Sequence, residues 1–140
     1  MGRPQMKVTV DTNVLVRLAT LDDPDEAQVA QATLQKAELI AVTLPVLCEF
    51  TWVLSSGYKK TAPEIAGAIR RLTDNPAVHA DHRAVEAGLR TLQTGGDFAD
   101  GVIAHQGRGL GGEIFVTFDK RAAARIKAEG FATHLLKTRP

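Results

Sequence analysis

Cysteine occurs once in this chain of 140 residues, at Cys48. A single thiol excludes an internal disulfide framework and suits a reducing cytoplasm, where the protein is expected to reside. It cannot build a zinc centre alone, and His79, His82, His105 and His134 fall at no ligand spacing. No Ser-His-Asp or Cys-His arrangement offers a nucleophile, and Cys48 reads as a small buried residue. Aromatic residues are scarce: one Trp, one Tyr and five Phe. Trp52, Phe50 and Tyr58 therefore read as core or interface rather than as platforms for stacking bases. No apolar run nears the roughly 20 residues that a membrane span needs. Neither sign of charge dominates, since 17 basic residues meet 16 acidic ones, so the total gives no overall signature for nucleic acid.

What the chain does have is the composition of one globular domain, expected over 6–140, with residues 1–5 an N-terminal extension ahead of a natural start at Met6. Apolar patterning predicts a buried strand over Lys7–Val10 and a helix over Thr12–Ala19. Asp23-Pro24-Asp25-Glu26 is a helix start that runs to about Ala37, with Asp23 as N-cap and Pro24 in the first helical position. A strand over Leu39–Val42 and a helix from Pro45 to near Gly57 follow. Thr61-Ala62-Pro63-Glu64 is a capping box that leads a helix with Ile65, Ala68, Ile69 and Leu72 at helical spacing. A short strand over Pro76–Ala80 precedes a helix capped by Asp81 that stops at Gly95-Gly96. The remainder predicts a helix from Asp97 to about Gly107, a strand over Glu113–Phe118, a helix over Lys120–Glu129 and a last strand over Phe131–Leu136. The glycine-rich run from Gly107 to Gly112 precedes a strand, so it reads as a turn rather than a phosphate-cradling loop. Strands separated by helices argue for an α/β sandwich around a mainly parallel sheet, with sites outside the carboxyl ends of the strands.

The acids are placed suggestively in that frame. Asp11 and Asp119 each close an apolar strand and precede a helix, so each is either an N-cap or a ligand at a strand end. Asn13 has the same two readings. Glu49 has Pro45, Val46, Trp52 and Val53 as helical neighbours, which places it either on the core side, where a carboxylate must be paired, protonated or metal-bound, or at the edge of the stripe, where it reaches solvent. Asp100 precedes Ile103 and Ala104 by one turn, and Asp97 lies one turn behind it on the same face. Asp97 reads first as an N-cap. Two aspartates at that spacing repel unless a cation sits between them. Several carboxylates of this kind suit magnesium or manganese, hard ions that prefer oxygen ligands. With four acids set aside for an ion, the remaining charge tips towards the basic side, as a phosphate-binding surface requires.

Taken in order, Val10-Asp11-Thr12-Asn13-Val14-Leu15, the helical Glu49, Asp97-Phe98-Ala99-Asp100 and Thr117-Phe118-Asp119 resemble the PIN-domain ribonucleases, and within them the VapC-type toxins of bacterial toxin–antitoxin pairs. The resemblance runs from Met6 almost to the end of the chain. It implies a three-layer α/β/α sandwich with a mainly parallel central sheet, a homodimer, RNA cleavage dependent on Mg2+ or Mn2+, and neutralisation by a small antitoxin. It implies Asp11, Glu49, Asp100 and Asp119 as a catalytic and metal-binding acidic quartet, with Asn13, Asp97 and Thr117 in supporting positions. Arg17, Lys120 and Arg121 are then candidates for RNA backbone contacts. The chain departs from the family's alanine-rich helix after Asp100, where it reads Gly101-Val102-Ile103-Ala104-His105-Gln106-Gly107-Arg108-Gly109. Glycine weakens a helix by up to about 1 kcal/mol relative to alanine.

Two other readings belong to different classes. A catalytically silent RNA- or partner-binding module would bind RNA without cutting it. An aspartyl-phosphate phosphatase or receiver would also place acids at strand ends. The phosphatase wants an aspartate at position 13, where Asn13 stands, and the receiver wants paired acids at the first strand end.

Overall fold

The computed structural model describes residues 6–138. The expected extension over residues 1–5 lies outside them. The chain divides into two compact units, one up to Asp81 and one from His82. No helix among the described residues is long and apolar enough to cross a membrane.

The first unit holds β1 (Met6–Thr9), α1 (Thr12–Thr20), α2 (Pro24–Gln35), β2 (Ala37–Ala41), α3 (Leu44–Ser56), α4 (Ala62–Thr73) and β3 (Val78–His79). Its sheet has the order β1-β2-β3, with both pairings parallel. The start signals work as the sequence predicts. Asp23 accepts from the Glu26 amide, and the Thr61 box is complete, with Thr61 and Glu64 exchanging backbone-to-side-chain bonds. Asp23 as N-cap is worth about 1 kcal/mol over alanine. Leu47, Ile69 and Ile40 are at most 1% exposed and mark the middle of this unit's core.

The second unit holds α5 (His82–Gln93), α6 (Phe98–Gly109), β4 (Ile114–Thr117), α7 (Lys120–Ala128) and β5 (Ala132–Leu135), with β4 and β5 parallel. Every strand pairing among the described residues is thus parallel, as expected, but the hydrogen-bonded ladders form two sheets rather than one. α6 continues to Gly109, past the expected end near Gly107. Its stop is the turn after it, where the Gly112 amide donates to the Gly107 carbonyl and Gly111 takes a φ of 103° that favours glycine.

The glycine that follows Asp100 has a packing reason. A β-carbon on Gly101 would stand 2.5 Å from the Ala87 carbonyl oxygen and would collide with the Thr91 hydroxyl. One on Gly88 would stand 2.6 Å from the Phe98 ring. The two glycines let α5 and α6 approach closely, and Asp100 is set by that contact. Thr91, 1% exposed, has its hydroxyl 2.7 Å from Glu129 Oε2 and 3.3 Å from the Ala87 carbonyl. Its single proton goes to the nearer, charged acceptor. Gly107, in contrast, has nothing near the place its β-carbon would take.

Two glycine replacements should therefore move stability in opposite directions. Gly101→Ala should destabilise by about 1–3 kcal/mol through overpacking. Gly107→Ala should stabilise by up to about 1 kcal/mol through helix propensity. Urea unfolding of both variants checks the pair, and equal effects would show that α6 does not pack on α5 as described.

Candidate active site

Each candidate acid stands at the edge of its own element. In the first unit, Asp11 is the N-cap of α1, and its Oδ1 accepts from the Thr12 amide at 2.7 Å. The two sequence readings of Asp11 are compatible, because capping engages one carboxylate oxygen and leaves Oδ2 unbonded among the described residues. Asp11 and Asn13 are exposed. Both line an open groove of about 820 Å³ that also takes in Arg17, Asp25, Glu26 and Val29.

Two expectations for this unit are corrected. β1 is not a buried strand: Lys7 and Thr9 are exposed, Val8 is half-buried, and only Val10 beyond its end is buried. Asp11 therefore has water to meet its charge. Glu49 is also exposed rather than core-facing. The buried stripe of α3 is Leu44, Leu47, Phe50, Thr51 and Leu54. Glu49 shares the opposite side with Pro45 and with Trp52, itself 67% exposed and so not a core residue. The apolar neighbours of Glu49 had suggested the wrong face because α3 is apolar nearly all round. Cys48 is half-buried, and burial pushes its thiol above the ordinary range.

Arg17, a candidate phosphate contact, has its charge already matched. It donates to Glu26 Oε1 at 2.6 Å and to Asp22 Oδ1 at 3.3 Å. Asp22 also accepts from the Tyr58 hydroxyl at 2.5 Å and from Thr20 at 2.9 Å, and these bonds hold its carboxyl below the ordinary value. Sequence reasoning missed this cluster. Glu26 looked fully explained as a capping residue, and nothing in one dimension links Tyr58 to Asp22.

The second unit brings three of the predicted acids into electrostatic reach. Asp100 lies in the first turn of α6 and is half-buried. Burial first, then the charges of Asp97 and Asp119, raise its carboxyl above the ordinary value. Asp97 occupies the N-cap position of α6, yet its side chain makes no capping bond, so the carboxylate remains uncommitted. Asp119 caps α7 through Oδ1, which accepts from the Arg121 and Ala122 amides at 2.9 and 3.1 Å. Its own amide donates to Thr117 Oγ1 at 3.0 Å. Thr117 thus shapes the turn that presents Asp119.

Among the described residues, no three His, Cys, Asp or Glu side chains stand near enough together to form a ready ion cage. The donors nonetheless suit a hard divalent cation that keeps several waters: carboxylates only, one partly desolvated, mutually repelling and with free oxygens. The histidines add no ligand group to them.

The model of the PIN domain family matches residues 8–128 of this chain. No curated protein matches it. Among solved structures, that of Mycobacterium tuberculosis VapC20, a sarcin-ricin loop cleaving toxin, is similar at 19% identity and a TM-score of 0.41, covering 94% of this chain and 98% of its own. That likeness is too distant to add to the family match.

The raised carboxyl of Asp100 makes a signed prediction. A group that binds its proton more tightly in the folded state stabilises the fold at low pH, and that advantage is lost as pH rises from the unfolded value through the raised folded one. At neutral pH the ionised Asp100 therefore costs stability. Asp100→Asn should raise the unfolding midpoint at pH 7 and leave it nearly unchanged at pH 3, as followed by thermal or denaturant melts. A variant less stable at pH 7 would show that the Asp100 charge is compensated.

Proposed function

The chain belongs to the PIN domain family, and on that premise we propose that it is a metal-dependent endoribonuclease, the toxin of a type II toxin–antitoxin pair, acting as a single PIN-like domain over residues 6–140. The observation that carries the chemistry is Asp100, half-buried and within electrostatic reach of the like charges of Asp97 and Asp119. The order of the motifs in the sequence supports the inclusion of Asp11 and Glu49 with Asp100 and Asp119 as the acidic quartet. Asn13, Asp97 and Thr117 support it.

Asp11, Glu49, Asp100 and Asp119 would hold Mg2+ or Mn2+. When bound, such an ion activates a water and stabilises negative charge on the phosphoryl oxygens. The protein's own part is to hold the acids in place. Asp119 is fixed by its cap bonds and by Thr117, and Asp100 by the close packing of Gly101 on α5. Without a cation the carboxylates repel a phosphodiester, so cleavage should need one. Hydrolysis by water leaves a 5′-phosphate and a 3′-hydroxyl. The same reading carries a cytoplasmic setting, a homodimer and a small antitoxin partner.

Cleavage of single-stranded RNA should appear with Mg2+ or Mn2+ and vanish in EDTA. Asp11→Asn and Asp100→Asn should each cost about 100-fold or more, the scale of losing one electrostatic stabiliser. Both should keep their circular dichroism, since asparagine caps α1 as well as Asp11 does and Asp100 lies inside the first turn of α6 rather than at its cap. Full activity in either variant would sink the assignment. RNA binding in EDTA with no cleavage at any metal concentration would favour the silent binding module.

A further inference from the structure

The first turn of α7 works against the helix macrodipole, whereas its Asp119 cap and its last-turn bases, Arg125 and Lys127, suit it. The N-terminus of a helix favours acids and its C-terminus favours bases. α7 has no acid in its first turn and instead places Lys120 and Arg121 there, both exposed. Neither makes an ion pair among the described residues. Arg121 and Arg125 are one turn apart, a like-charge pair that also works against the helix. Asp119 caps the helix through the backbone, and Glu129 is engaged by the Thr91 hydroxyl. Four bases, Lys120, Arg121, Arg125 and Lys127, thus stand on a helix with no acid between its caps.

One of these cations is built in. The Arg125 guanidinium donates to the Thr94 carbonyl. It fits because the turn before α6 is Gly95-Gly96: a β-carbon on Gly95 would stand 3.1 Å from Arg125 Nη2, and one on Gly96 2.7 Å from Arg125 Cδ. Arg121 and Arg125 line a hollow of about 350 Å³ together with Thr94, Ala124, Ala128 and Glu129, whose Oε2 accepts from the Thr91 hydroxyl.

We infer that the exposed face of α7 is a track for the phosphodiester backbone of a single RNA strand, with Arg121 and Lys120 as its mobile contacts and Arg125 as its fixed one. The inference rests on the ribonuclease reading and adds the surface that positions the strand beside Asp119. Phosphate contacts set register and carry no sequence information, so the track serves any sequence. Placing cations against the helix dipole is understandable if an anion relieves them on binding.

The test is fluorescence anisotropy with two labelled single-stranded RNAs, oligouridylate and oligoadenylate, over a salt series in EDTA so that the RNA stays intact. Lys120→Gln and Arg121→Gln should each weaken binding of both RNAs about fivefold at 0.1 M salt and reduce the salt slope by about 0.7, the loss of one phosphate contact on a single strand. Their melting temperatures should be equal to or above that of the unchanged protein, because a cation leaves the wrong end of a helix. Unchanged slopes in both variants, or weaker binding only alongside a fall in melting temperature, would overturn the track while leaving the cleavage assay to judge the nuclease. Lost poly-glutamate binding with RNA binding retained would reassign the face to an acidic protein and overturn it as well. Absence of both RNA binding and cleavage in the unchanged protein would overturn the track and the nuclease together. Reduced slopes without any cleavage would support the track and remove only the nuclease.

Discussion

Like-charge crowding at Asp100 is the constraint on which the functional account depends. Partial burial raises its carboxyl most, and the charges of Asp97 and Asp119 raise it further. A fold built only for stability would relieve this with a neutral residue or a nearby base. Here the uncapped carboxylate of Asp97 and the free oxygen of Asp119 remain directed to no protein partner among the described residues. Repulsion that a protein retains is a common mark of a functional site, and a divalent cation is the simplest group that removes it.

Rigid, local devices hold that arrangement. Gly88 and Gly101 allow α5 and α6 to close on one another, and Gly101 is the residue next to Asp100. Thr117 binds the amide of Asp119 and turns the chain from β4 into α7. The same turn begins a helix whose first residues are basic. One short segment, Thr117–Arg121, thus carries an acid suited to a cation and bases suited to a phosphate. In the first unit Arg17, near Asp11 in sequence, is neutralised by Asp22 and Glu26.

Much of this was legible in the sequence because it depends on local signals. Asp23, Thr61 and Asp119 cap helices through contacts with residues at most three positions ahead, and such spacings can be read directly. The pairing of Asp97 with Asp100 follows from one helical turn. Glu49 was misjudged because α3 is apolar on nearly every side, so periodicity could not say which stripe is buried. The exposure of β1 and of Trp52 was equally unreadable, since both depend on what packs against them. Gly101 looked like a weakness in its helix, and its reason lies in Ala87 and Thr91, residues of another helix. The Tyr58–Asp22–Arg17 cluster was missed for the same cause: its members meet only once the chain has folded.

The central claim is that the crowding around Asp100 is a cation site. Electron paramagnetic resonance of Mn2+ titrated into the protein measures it without reference to any substrate. The account predicts that the unchanged protein takes Mn2+ out of the free signal and that Asp100→Asn, still folded, binds it much more weakly. Equal Mn2+ binding by the two proteins, or none by either, would contradict it.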